Sequence, residues 1–267
     1  MGRYDGILIC SDIDGTLTYP YTGKDDNLNG IGPTRDTCEQ IRRFQQEGGL
    51  FTVCTGRRPS HLENFTDKFI VNAPVISCGG AMVYDLENEK ALRLKTMQFD
   101  LPQVIHALHQ EFAPFLNRIH LHTLEDTIEV TAEQLCDPQS GIWKTDTYLK
   151  IVLVFDTAER AIEARKLVLA HPLAGELDVC RSWPEGLEIM DKESTKGAAA
   201  LFLKAYLGAR ELICVGDFEN DLSMLRVADR AVAVENALPE VKAAASEITV
   251  SVYDGAVARV IESIDKS

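Results

Sequence analysis

Apolar and polar residues follow one rhythm at the two ends of the chain and another in its middle. Near the start, short apolar runs rich in β-formers (Gly6 to Ser11, Leu50 to Cys54, Ala73 to Cys78) are separated by stretches with helical spacing, from about Pro33 to Gly48 and from about Pro59. The same alternation returns at the end. A helix is predicted from about Thr195, a strand over Glu211 to Val215, a short helix after Asn220 and a strand over Ala231 to Val234, with helices over Ala237 to Ala244 and Asp254 to Ile264. Strands that alternate with amphipathic segments predict crossover helices joining the strands of a parallel sheet.

The middle predicts different elements. A hairpin follows Gly80 (Ala81 to Asp85, then Ala91 to Lys95), with a helix near Leu101 to Phe112 and paired strands near Arg118 to His122 and Thr127 to Thr131. A strand over Leu149 to Phe155, a helix over Ala158 to Ala170, and strands over Leu177 to Ser182 and Gly186 to Met190 complete it. Such mixed alternation suits an α+β layer inserted into an α/β domain. The expected division is a core of residues 1–80 and 191–267 and an insert of residues 81–190. Between the first strand and helix, the polar stretch Thr18 to Gly32 is expected to be a solvated connection.

Composition narrows the partners. With 27 basic against 41 acidic residues the formal net charge is −14. A field of that sign repels nucleic acid and anionic membranes. It leaves room for a small phosphorylated ligand, provided a local cation reverses the potential at one site. The seven cysteines are an odd number, spread singly, and several end apolar runs, which is the usage of a reducing compartment. The start carries too short an apolar run for a signal peptide, Gly6 breaks a myristoylation pattern, and no stretch approaches the ~18 apolar residues of a membrane span. The expected location is cytoplasmic, as a monomer or small homo-oligomer.

The chemistry concentrates at strand ends. The first strand runs into Asp12-Ile13-Asp14-Gly15-Thr16, where alternation puts both carboxylates on one face and Ile13 on the other. In a parallel sheet this is the carboxyl edge, where open α/β sheets bind ligands. Two like charges placed together call for a cation or a shared proton. Four specified residues match by chance in a chain this long only about two times in a thousand. The run Ile213 to Asp221 supplies a second pair, Asp217 and Asp221. Standing alone, Asn220 and Asp221 would simply cap a helix; with the first pair they could converge on a hard cation such as Mg²⁺. Cys54-Thr55-Gly56-Arg57 offers a hydroxyl and backbone N–H groups to phosphate oxygens. Ser194-Thr195-Lys196-Gly197 places Lys196 near a helix N-terminus, where a cation is unfavourable unless an anion offsets it; alone it would be read as a solvated surface lysine.

Taken in order, DIDGT, VCTGR, STKG and GDFEND resemble the four motifs of the haloacid dehalogenase-like (HAD) superfamily of phosphohydrolases. The tail AVAVENALPEVKAAASEIT…VYDGAVARVI and the run GLEIMDKESTKGAAA resemble its Cof-type branch. The resemblance covers about residues 5–80 and 186–264. It implies a Rossmann-like parallel-sheet core with an inserted α/β cap, and a phosphatase acting on a small metabolite, such as a sugar phosphate or phosphorylated cofactor. Asp12 would be the nucleophile that becomes an aspartyl phosphate, and Asp14 the general acid and then base. Mg²⁺ would be held by Asp12, the main-chain carbonyl of Asp14, Asp217 and Asp221. Thr55, Gly56, Lys196 and Asn220 would bind phosphate. Arg57 is either a further substrate ligand or the partner of a local carboxylate. A phosphotransferase of phosphomannomutase type and a non-catalytic phospho-ligand sensor are the alternatives.

Two features depart from the branch: Gly79-Gly80-Ala81 stands where Asn-Gly-Ala is usual, and the loop Thr18 to Gly32, with Tyr19 and Tyr21, is long. In the insert, His106 and His109 share a helix and His120 and His122 a strand, read as surface or substrate-facing groups rather than a zinc site. Trp143 and Trp183 are read as packing residues.

Overall fold

The structure is a computed structural model that describes residues 2–19, 32–63, 71–97, 102–137, 139–141 and 148–265. Most of the 18–32 loop, Tyr21 and Trp143 therefore lie outside the described residues. The chain forms two compact units, Met1–Arg93 with Lys196–Ser267, and Leu94–Thr195. The first unit opens with β1 (Ile7–Ser11), α1 (Arg35–Gln46), β2 (Leu50–Val53), the single turn α2 (Ser60–Glu63), β3 (Val75–Ser77), β4 (Met82–Asp85) and β5 (Lys90–Leu94). The second contains α3 (Pro102–Phe112), β6 (Leu116–Thr123), β7 (Thr127–Glu129), α4 (Ala132–Cys136), β8 (Tyr148–Phe155), α5 (Ala158–Ala170), β9 (Leu177–Trp183) and β10 (Gly186–Asp191). The first then resumes with α6 (Lys196–Leu207), β11 (Glu211–Gly216), α7 (Leu222–Leu225), β12 (Arg230–Ala233), α8 (Pro239–Ala244), β13 (Glu247–Ile248) and α9 (Ala256–Ile264).

The expected α/β class is borne out. Five parallel strands stand in the order β13-β12-β11-β1-β2, so the two ends of the sequence share one sheet. The first strand is continuously apolar before its carboxylates because helices cover such sheets on both faces. On α1, Thr37, Ile41 and Phe44 are buried at helical spacing, and Val257, Val260 and Ile261 of α9 pack into the same core. Cys10 and Cys214 stand directly opposite each other on β1 and β11 and are fully buried, serving as small core side chains. That register also makes the two strands end level, which sets the site.

The hairpin after Gly80 differs from expectation. It belongs to the first unit rather than to the insert, which begins at Leu94 and ends at Thr195. The cause is pairing: β4 lies antiparallel to β3, with Ile76 opposite Val83, so Val83 joins the core of the parallel sheet, and Tyr84 and Leu92 pack against it. A hairpin's own alternation marks its two faces but not the sheet it joins.

The second unit is an antiparallel sheet in the order β7-β6-β8-β10-β9. Ile151, Leu153 and Phe155 of β8 and Leu187 and Ile189 of β10 form its core with Val104, Ile105 and Leu108 of α3 and Ala161, Ala164 and Val168 of α5. Lys150, between the core residues of β8, pairs at 2.8 Å with Glu188, and both are almost wholly buried. The Ser182 hydroxyl donates to the same Glu188 oxygen at 2.7 Å.

Asp178 lies on β9, and burial, reinforced by the Glu188 charge, pushes its carboxyl up to about 6 against the opposing Cys180 hydrogen bond and Arg165 charge. A folded-state value above the unfolded one makes its contribution to stability complete below about pH 4 and lost as the pH rises through about 6. Asp178→Asn is therefore expected to leave urea stability unchanged near pH 4 and to raise it by about 1–2 kcal/mol at pH 8, since water reaching the half-buried carboxyl screens part of the penalty. An equal change at both pH values would show that the charge of Asp178 is not the cause.

Candidate active site

The site is built where β1 and β11 end. Ser11 is level with Val215, and Asp12 donates its N–H to the Val215 carbonyl at 2.9 Å. Asp12 and Asp217 thus leave adjacent strands at the same edge. Asp221 follows after one tight turn, its Oδ2 accepting the N–H groups of Asp217 at 2.9 Å and Phe218 at 3.1 Å. Carboxylate oxygens of Asp12, Asp217 and Asp221 lie within 4.8 Å of one another, the one such grouping of metal-ligating side chains among the described residues. His106, His109, His120 and His122 belong to no such grouping. His120 faces Glu129 at 3.7 Å and His106 bonds Gln110.

Lys196 closes this group from below. It is the first residue of α6, 1% exposed, and its Nζ donates at 2.6 Å to both Asp12 Oδ1 and Asp221 Oδ1. Burial alone would drive its proton off, but the two carboxylates outweigh that and hold it charged. Asp12 is pushed well up, first by burial and then by the charges of Asp221, Asp217 and Asp14, with Lys196 opposing. Asp217 is pushed up to about 7, again by burial first and Asp221 next. Three carboxylates around one ammonium can all be ionised together only if a further cation joins them. Every donor is a hard oxygen, so the residues fit a divalent cation of the Mg²⁺ class. Asp221, with both oxygens already accepting, has least to offer a metal and most to do in fixing Lys196.

Gly15 explains the spacing of the first motif. Its φ is +90°, and a Cβ there would sit 2.4 Å from Asp217 Oδ2. Thr16 then donates its hydroxyl to Asp217 Oδ1 at 2.9 Å. The Asp14 side chain is not in the carboxylate group. Arg57 holds it instead, with one guanidinium nitrogen 2.7 Å from Oδ1 and Nε 3.2 Å from Oδ2. Of the two roles open to Arg57, the structure places it on a carboxylate. Thr55, after β2, is buried and its Oγ1 accepts the Arg57 N–H at 3.2 Å, which leaves the hydroxyl hydrogen available to donate. Gly56 lies between them and Asn220 just before Asp221, both half-buried.

One residue of the assembly was not singled out from sequence. The Asn236 amide donates to the Gly15 carbonyl at 2.7 Å while its oxygen accepts the Val252 N–H at 2.9 Å. It ties the loop carrying Asp14 to the C-terminal turn. The signal was present, since Asn236 lies in the AVAVENALPE run. Nearby, Tyr19 stacks on Tyr253 with ring centroids 4.9 Å apart, both exposed.

A family model described as haloacid dehalogenase-like hydrolase matches residues 9–261. The chain belongs to this family. A Haemophilus influenzae relative of this HAD-like hydrolase, provisionally named a phosphatase, is 37% identical over 267 residues, covering 95% of this chain and 96% of the relative. The pyridoxal phosphate phosphatase of Escherichia coli K12 is 24% identical, covering 90% and 91%. A solved sugar phosphatase of HAD subclass IIB shares the fold, with a TM-score of 0.75 and 17% identity over 97% of this chain and 98% of that one. The resemblance carried by the four motifs is borne out, and the HAD-like hydrolase is an enzyme of the phosphatase class. No helix among its described residues is long and apolar enough to cross a membrane.

Proposed function

We propose that this HAD-like hydrolase is a Mg²⁺-dependent phosphatase that cleaves a small phosphorylated metabolite, a sugar phosphate or a phosphorylated cofactor, through an aspartyl phosphate on Asp12. The observation that carries the reading is the buried Asp12–Lys196–Asp221 bridge with Asp217 beside it. Carboxylates gathered around one buried ammonium suit a site that takes a divalent cation, and the cation in turn would draw a phosphate dianion to it. The relative named a pyridoxal phosphate phosphatase supports the substrate class, and the neighbour of like fold named a sugar phosphatase is consistent with it.

In the first step the Asp12 oxygen not bonded to Lys196 attacks phosphorus. The P–O bond to the leaving group breaks, and Asp14 delivers a proton to the departing oxygen. In the second, Asp14 takes a proton from water, the water oxygen attacks phosphorus, the bond to Asp12 breaks and phosphate leaves. The ammonium of Lys196 and the Thr55 hydroxyl bind the transferring phosphoryl oxygens, and Gly56 and Asn220 line the same place. Asp12, Asp217 and the Asp14 carbonyl would hold Mg²⁺, with Asp221 in contact with it or just behind, fixing Lys196; the ion would screen the repulsion between a carboxylate nucleophile and a phosphate dianion.

Chelation tests the reading. EDTA is expected to reduce phosphate release from phosphorylated metabolites to background, with recovery on adding Mg²⁺; full activity in EDTA would refute it. Product analysis separates the alternatives. Inorganic phosphate as the product supports hydrolysis, whereas an isomerised sugar phosphate without phosphate release would make the enzyme a phosphotransferase.

A further inference from the structure

We infer that Arg57 is a positioning residue for Asp14 rather than a substrate ligand, and that Arg93, at the end of the first unit's N-terminal segment, braces it through the Cys78-Gly79-Gly80 loop. This rests on the proposed acid role of Asp14. The planar guanidinium makes two contacts to the Asp14 carboxylate, and a two-point contact fixes the carboxylate plane in a way a single ammonium cannot. The contacts are unequal, 2.7 Å to Oδ1 and 3.2 Å to Oδ2, so Oδ1 is the anchored oxygen and Oδ2 the looser one. Asp14 itself sits on a partly exposed loop, its side chain 36% accessible, with no other described side chain bonded to it. Its direction is therefore set largely by Arg57.

Arg57 is in turn held by its backbone. The Cys78 N–H donates to the Arg57 carbonyl and the Gly79 N–H to the Thr55 carbonyl, each at 2.9 Å. The loop that makes both bonds carries three successive residues at positive φ, Cys78 at 51°, Gly79 at 73° and Gly80 at 107°. Cys78 is not a glycine, it is fully buried, and such a conformation persists only where the surroundings enforce it. Arg93 supplies part of that enforcement by donating to the Gly80 carbonyl at 2.8 Å from β5. A continuous path of hydrogen bonds thus runs from Arg93, next to the boundary at Leu94, through the loop to Arg57 and Asp14. It also gives a physical reason for glycine at positions 79 and 80, both on this path.

Leaving groups provide the test. Phenyl phosphate needs its departing oxygen protonated more than p-nitrophenyl phosphate does, because nitrophenolate is the more stable anion. Arg57→Ala is expected to lower kcat on phenyl phosphate about 100-fold and on p-nitrophenyl phosphate less than about threefold, with KM little changed on either. Arg57→Lys should fall between, and added guanidinium should restore part of the loss in Arg57→Ala. Arg93→Ala should show the same selectivity at about tenfold, and adding it to Arg57→Ala should cost nothing more, since both act on one group.

A rise in KM on both substrates would make Arg57 a phosphate ligand and overturn the inference. So would an equal fall in kcat on both, the mark of a merely structural role, or additive losses in the double variant for the Arg93 part. Asp14→Asn is the control. If it shows the leaving-group dependence and Arg57→Ala does not, the positioning inference alone fails. If Asp14→Asn shows none, the acid role fails and the inference with it.

Discussion

Asp12→Asn is expected to abolish turnover, with kcat down at least about 10⁴-fold, while the protein remains folded and as stable as the parent or more so. The two halves of this result have one physical origin. Asp12 is nearly buried, and its carboxyl is pushed up by burial and by three neighbouring carboxylates. Ionised Asp12 is thus a charge the fold would rather not hold, and the neutral amide removes it at nearly constant shape. Lys196 keeps its second partner, since Asp221 still lies 2.6 Å away. An amide cannot form the acyl phosphate, so the chemical route closes while the electrostatic strain eases. Phosphate release under saturating Mg²⁺ measures the first half and a thermal melt in EDTA the second. Residual turnover within about tenfold of the parent would remove Asp12 from the nucleophile's place. A large drop in melting temperature would instead mean that Asp12 holds Lys196 in position more than it burdens the fold.

The parallel sheet and the convergence of Asp12, Asp217, Asp221 and Lys196 were legible because both are written in local patterns. Unbroken apolar runs ending in Asp12 and Asp217 gave strands, their shared edge and the acidic pair, and the β1–β11 register brought them level. Lys196 carried more signal than its motif alone. It stands at helical spacing from Ala199, Ala200 and Leu203, on the stripe that α6 buries, so its own helix excludes the solvated reading. Less legible were features set by partners distant in sequence. Nothing within residues 81–95 says that the hairpin pairs with β3, and the division at Leu94 follows from that pairing. Asn236 contacts Gly15 across 221 positions of sequence, and Arg57 reaches Asp14 across 43. A polar residue's partner is chosen by the tertiary fold, whereas its availability as donor or acceptor can be read from its type. Sequence therefore left two roles open for Arg57, and the contact with Asp14 is visible only in the fold.

Lys196→Met is expected to cost about 3–5 kcal/mol of stability in metal-free protein, together with nearly all activity. The side chains are close in length, so the loss is chiefly of the charge. Without it, Asp12 and Asp221 lose a donor at 2.6 Å each, and three carboxylates within 4.8 Å face one another with no compensating cation. Breaking one side of a buried ion pair leaves the other side's desolvation unrepaid, which is why the expected cost exceeds that of a surface bridge by several-fold. If charge is the cause, two remedies should work. Lower pH should narrow the gap to the parent, because Asp12 and Asp217 are already pushed up and protonate more readily than ordinary carboxylates. Mg²⁺ should stabilise the variant by more than it stabilises the parent, because the site it enters is one unit more negative. Urea denaturation with and without Mg²⁺, at neutral pH and near pH 5, reads all three quantities. A deficit that neither protons nor Mg²⁺ reduce would mean that Lys196 acts through packing of its four-carbon stem, and the electrostatic account of the site would fall.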